Sequence, residues 1–269
     1  MATFKMAEWE FNKPQWCKFL ACGLYKLSEE KGEGDYHYHD CDEYFIVADG
    51  KVELLLEGKE YEIEAGDCVC IPVGGKHRIS KALNDLTLVW IYDELNGEKR
   101  KGHITAKGGE GEVPGAKIVK LWKWREEKPA WSRLTDLGII HFPKGKVEMD
   151  YHYHDCHEYC FLAKGSLSIL VEGEELKMEE GDVCPIRIGD RHKVLEAFDD
   201  STLIWLQDEL ERKRRYGHLH YEEEGITPIS ELPYRPALPK TKDYGIGVIG
   251  VDRIANHRQI PSYLKAGLN

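Results

Sequence analysis

Two stretches of this chain carry the same reactive side chains at the same intervals. His37-x-His39-x3-Glu43 is followed further on by His77, and His152-x-His154-x3-Glu158 is followed by His192. Histidines two apart on a β-strand project to one face, so both imidazoles can meet a single ion. A carboxylate from the next strand and a third histidine from a distant strand complete a set of three nitrogens and one oxygen. Around an octahedral ion such a set leaves one or two positions open for water or substrate. A lone His-x-His pair is usually incidental. Four ligand types kept at matching spacing in two places argue the opposite. The expected metal ligands are therefore His37, His39, Glu43 and His77, and His152, His154, Glu158 and His192. Glu43 and Glu158 are also the candidate catalytic bases, since a carboxylate that leaves the ion can take a proton. Protons compete with metal for imidazoles whose ordinary pKa lies near ~6.5, so binding is expected to weaken below about pH 6.

Other side chains near these motifs have simpler readings. Cys41 and Cys156 sit between the ligands and read as small buried residues in tight turns rather than as redox thiols. Tyr36, Tyr38, Tyr151 and Tyr153 alternate with the histidines and should pack on the opposite face of the strand. His103 and His218 recur in a basic Gly-His element (KRKGHI, KRRYGHLH), where a structural hydrogen bond is the expected role. Arg187 stands where the first copy has Pro72 and reads as a solvated surface arginine.

The elements that position these residues come from an internal duplication. One offset of 115 residues carries Trp9 onto Trp124, Trp16 onto Trp131, Gly23 onto Gly138, His77 onto His192 and His103 onto His218. Asp35 to Gly50 matches Asp150 to Gly165 at 11 of 16 positions. Each copy reads as short strands punctuated by glycine turns, as at Glu57-Gly58 and Ala65-Gly66-Asp67, with counterparts at Gly173 and Gly181. That pattern argues an all-β sandwich or barrel, with helix confined to ends and connectors such as Asp208 to Arg215. The expected divisions are a first domain over 1–105, a connector over 106–123, a second domain over 124–221, a Pro-rich linker over 222–243 and a tail over 244–269.

With both halves of its two-part histidine motif present in each copy, the chain resembles the cupin superfamily, and specifically its two-domain members, the bicupins. The resemblance covers about residues 9–220. It implies two tandem jelly-roll β-barrels, each with one divalent metal (Fe, Mn, Ni or Zn) inside the barrel mouth, held by the two ligand sets above. The replacement of the turn proline by Arg187 is the one departure. Beyond four closely spaced prolines (Pro228, Pro233, Pro236, Pro239), the β-branched run Ile246 to Val251 leads into a helical stretch. This short C-terminal βα extension resembles the opening of the glucose–fructose oxidoreductase and inositol dehydrogenase family. Asp252 occupies the place of the second fingerprint glycine, where a carboxylate repels a pyrophosphate, so the tail is not expected to bind NAD.

Composition narrows the functional classes. The 269 residues carry 37 basic and 48 acidic side chains, a net of −11, which disfavours nucleic acid and anionic membrane surfaces. No apolar run approaches the ~20 residues of a membrane span, so a cytoplasmic location is expected. The eight cysteines form no CxxC pair and are expected to be reduced and buried. The remaining partner is a small molecule. A fused or neighbouring dehydrogenase fits the tail, and a homo-oligomer is compatible with the chain, though little in it argues for one. A metal-dependent isomerase or epimerase acting on a small, sugar-like polyhydroxylated or carbonyl compound is the leading expectation. A metal-dependent dioxygenase and a non-catalytic binding or sensor module are the alternatives.

Overall fold

The structure, a computed structural model, describes residues 2–32, 34–94, 102–106, 113–154 and 156–208, with the backbone of 219–220. The expected helix after Asp208, the Pro-rich linker and the C-terminal βα tail fall outside the described residues, as does His218. The first copy runs β1 (Phe4–Lys5), α1 (Trp9–Asn12), β2 (Ala21–Leu27), β3 (His37–His39), β4 (Glu43–Asp49), β5 (Lys51–Leu56), β6 (Lys59–Glu64), β7 (Asp67–Ile71), β8 (His77–Ala82), β9 (Leu86–Tyr92) and β10 (His103–Thr105). The second runs β11 (Lys117–Lys120), α2 (Trp124–Glu127), β12 (Asp136–Phe142), β13 (Gly145–Lys146), β14 (His152–Tyr153), β15 (Glu158–Lys164), β16 (Ser166–Val171), β17 (Glu174–Glu179), β18 (Asp182–Ile186), β19 (His192–Ala197), β20 (Ser201–Gln207) and β21 (Leu219–His220).

Each copy folds as two facing antiparallel sheets. In the first, β11-β7-β4-β9-β2 faces β10-β3-β8-β5-β6; in the second, β1-β18-β15-β20-β12 faces β17-β16-β19-β14-β21. The tandem jelly-roll barrels inferred from the motif are therefore present. The hairpin between β5 and β6 closes through Glu57 and Gly58, both at positive φ (48° and 76°), as a two-residue turn that follows the strand twist requires. Tyr36 fixes that turn by accepting a hydrogen bond from the Gly58 N–H, and Tyr151 does the same for Gly173.

The segment read as a connector does more than connect. Its strand β11 pairs with β7 of the first barrel, while β1 of the first copy pairs with β18 of the second. The exchange is reciprocal and is pinned by equivalent ion pairs, Lys5 to Asp182 at 2.7 Å and Lys120 to Asp67 at 2.9 Å.

The inner sheets have two buried faces, which is why β4 is apolar almost throughout. Phe45 and Val47 point into the first barrel, whereas Tyr44, Ile46 and Ala48 point into a core shared by both copies. Strands with both faces covered lose the polar half of their alternation. In the shared core Trp9 meets Tyr159 edge-on (6.2 Å, 80°), and its counterpart Trp124 meets Tyr44 (6.4 Å, 68°). Trp16 and Trp131 lie on the same two tyrosines, so equivalent tryptophans occupy equivalent places. Arg133 crosses this seam and pairs with buried Asp93 of the first copy and Asp208 of the second.

Candidate metal centres

The pairing register brings the ligand candidates together. His37 sits directly opposite His77, and His152 opposite His192. The i, i+2 spacing puts His39 on the same inward face as His37. Glu43 opens β4 on the face that also carries Phe45 and Val47 into the barrel. The structure gathers all eight expected residues into two buried groups of four, none more than 6% exposed. In the first group the imidazole centroids lie 5.0 Å (His37–His39), 4.4 Å (His37–His77) and 5.4 Å (His39–His77) apart. The second repeats this with 5.0, 4.4 and 5.2 Å.

Hydrogen bonding aims the rings. His37 Nδ1 donates to the Asp35 carbonyl (3.2 Å) and His77 Nδ1 to the Gly75 carbonyl (3.0 Å); His152 and His192 do likewise to Asp150 and Asp190 (2.8 and 3.2 Å). A carbonyl oxygen can only accept, so Nδ1 carries the proton and Nε2 keeps its lone pair. Glu43 Oε2 lies 2.9 Å from His77 Nε2 and 3.4 Å from His39 Nε2, yet it is buried without a well-aligned hydrogen bond. In the second group Glu158 Oε2 is 2.9 Å from His154 Nε2 and Oε1 is 3.3 Å from His192 Nε2. Neighbouring donor atoms about an octahedral ion with bonds near ~2.1 Å stand ~3 Å apart, so these clusters fit a first-row divalent cation.

Burial sets the charge states. It drives His37 down to about 4 and His39 to about 3, with the nearby His77 adding to the effect. Both imidazoles are held neutral in the folded chain well below their ordinary range. Burial raises the carboxyl of Glu43. It pushes Glu158 the same way, but His154 and His192 outweigh it and hold that carboxyl well below its usual value.

The two centres differ in what surrounds the ligands. Glu43 pairs across the sheet with Tyr92, and Glu158 with Gln207. The Tyr92 hydroxyl is 3.0 Å from His39 Nε2, while Gln207 Nε2 donates to Glu158 Oε2 at 2.7 Å. Beneath the carboxylates, Phe45 lies edge-on to His77 in the first barrel, and the Cys160 thiol donates to Glu158 Oε1 at 3.7 Å in the second. His103 stacks on His37 (3.8 Å, 19°) and reaches Asp35 at 2.9 Å, with Thr105 donating to the same carboxylate. His103 therefore has the expected structural bond and also covers a ligand candidate.

One expectation meets a different outcome. Arg187 is half-buried with its Nε out of water, and its guanidinium lies 6.0 Å from the Trp16 ring. The shared core has drawn it inward from the solvated place expected for it. Cys41 and Cys156 are buried, and no cysteine forms a disulfide. Sequence reasoning did not single out Tyr92 and Gln207. The signal available was a polar residue closing an apolar strand and differing between otherwise matched copies.

Residues 24–92 and 138–207 each match the Cupin domain family, and the chain belongs to it. Over 97 residues it is 33% identical to the uncharacterized protein y4oW of Sinorhizobium fredii, covering 31% of this chain and 45% of that protein. Over 75 residues it is 31% identical to the pectin degradation protein KdgF of Dickeya dadantii, covering 28% of this chain and 67% of that one. Among solved structures it resembles Bacillus subtilis oxalate decarboxylase, described with Mn(II) centres, at a TM-score of 0.50 and 16% identity over 81% of this chain and 74% of that one. A variant of the same enzyme gives 0.52 and 15% over 82% and 79%. At such identity the likeness is one of fold: a bicupin. Among the described residues, no helix is long and apolar enough to cross a membrane.

Proposed function

We propose that this bicupin is a metal-dependent enzyme that holds one divalent ion (Fe, Mn, Ni or Zn) in each barrel through His37, His39, Glu43 and His77, and through His152, His154, Glu158 and His192. Its substrate is a small polyhydroxylated or carbonyl compound, sugar-like, and its reaction is of the isomerase or epimerase type. One observation carries this reading: three buried imidazoles and a carboxylate converge twice, with Nδ1 of two histidines per centre locked on carbonyls and Nε2 turned to the common point. A divalent ion held there supplies a Lewis acid for a carbonyl and its neighbouring hydroxyl.

The chain's own groups do the rest. His37 and His39, held neutral by burial, bind without having to lose a proton. Glu43, on leaving the ion, can take a proton from a substrate carbon and return it. His103, half-exposed beside Asp35, stands at the edge of the first centre. A histidine beside the centre but outside the ligand set favours an enzyme over a binding module. The similarity to KdgF, a pectin degradation protein, supports a carbohydrate-type substrate.

The test is elemental analysis of protein purified without chelator, followed by a panel of polyhydroxylated carbonyl compounds with dioxygen uptake monitored. Turnover abolished by chelator and restored by metal is expected. Dioxygen consumption would point to a dioxygenase, and sugar binding without turnover in any metal form to a sensor.

A further inference from the structure

The two centres are built by a duplication, yet the residue facing each glutamate across the sheet has changed. We propose that Tyr92 supplies an additional protein donor to the metal of the first centre, and that the second centre, with Gln207 in its place, has none. This rests on the reading of both clusters as metal sites. In β9, Leu86, Leu88 and Trp90 pack into the first barrel while Val89 and Ile91 face the shared core. Tyr92 continues the inward series and ends at the ligand cluster, its ring 4.5 Å from that of His39.

Its hydroxyl lies 3.0 Å from His39 Nε2, within the same range as the 2.9 and 3.4 Å that separate Glu43 Oε2 from His77 and His39. The 2.9 and 3.0 Å separations match the ~3 Å edge of an octahedral donor set, and the 3.4 Å one is somewhat longer. Without metal the phenol is hydrogen-bonded to His39 Nε2, whose lone pair a metal would take. An ion that takes this lone pair breaks that hydrogen bond and leaves the phenol oxygen at the spacing of a neighbouring ligand. When the oxygen binds a trivalent ion, its proton passes to water, and no electron is transferred. In the second centre the equivalent inward residue presents a nitrogen to the cluster instead. A carboxylate only accepts, so the Gln207 amide must turn its NH2 towards Glu158, and that nitrogen has no lone pair to offer a metal. The first centre would then be richer in hard oxygen donors, which favours Mn or Fe over Zn relative to the second.

Fe(III) is the probe, because a tyrosine oxygen bound to it gives a charge-transfer absorption in the visible. The full chain loaded with Fe(III) should be coloured. Tyr92→Phe should lose that band while elemental analysis still finds iron at both centres, and its first centre should bind Mn(II) about tenfold more weakly. The His152→Ala/His154→Ala variant should keep the band, which places it in the first barrel. A colourless chain with iron bound at the first centre, or a band that survives Tyr92→Phe, would overturn the proposal alone. A first centre that takes up no metal at all would overturn the metal-site reading with it.

Discussion

At the scale of single residues, burial decides how the ligands behave. His37 and His39 titrate near 4 and 3 in the folded chain but near ~6.5 when unfolded. Between about pH 6.5 and 4 the unfolded chain therefore binds more protons than the folded one, and the metal-free protein should lose stability as pH falls through that window. Denaturant midpoints measured from pH 7.5 to 4.5 should decline without metal. Saturating metal should lift the midpoints throughout, because it binds only the neutral imidazoles of the folded form. A flat profile would contradict the depressed values. The clustering of the ligand candidates was legible in the sequence because strand geometry turns His-x-His spacing into a shared face. Tyr92 and Gln207 were not, because a single polar residue ending an apolar strand gains meaning only from the register that sets it against Glu43 or Glu158.

Among the elements, close packing fixes where substitutions hurt. Gly23 on β2 lies under Trp90 of β9, where an added Cβ would meet the indole at 2.5 Å; Gly138 lies under Trp205 at 2.9 Å. Gly23→Ala should cost about 1–3 kcal/mol and Gly138→Ala somewhat less, read from equilibrium unfolding. Arg133 is the partner of two buried carboxylates, so Arg133→Ala should be more damaging, at about 3–5 kcal/mol, because it strands charge in the seam. A loss under about 1 kcal/mol would mean water reaches Asp93 and Asp208. Strands and turns followed from glycine punctuation and alternation. The reciprocal exchange of β1 and β11 did not, since strands as short as Phe4–Lys5 and Lys117–Lys120 carry too few residues to show a period.

The whole molecule is a pseudo-symmetric pair whose halves complete each other. Val119 of β11 joins the shared core, and the Trp124 side chain packs on Tyr44 of the first barrel. A fragment ending at residue 106 would lose both and bare the core face of β4. It should unfold without a cooperative transition or self-associate, as judged by circular dichroism and sedimentation; a stable monomer would show that the seam adds little. The constant 115-residue offset makes the duplication plain in the residues themselves, but an offset alone cannot say that the copies share a core. The central claim is that each half holds its own ion. Elemental analysis of the full chain should find two equivalents of divalent metal, and His37→Ala/His39→Ala should remove one and leave the other. Metal content unchanged by that double substitution would contradict it.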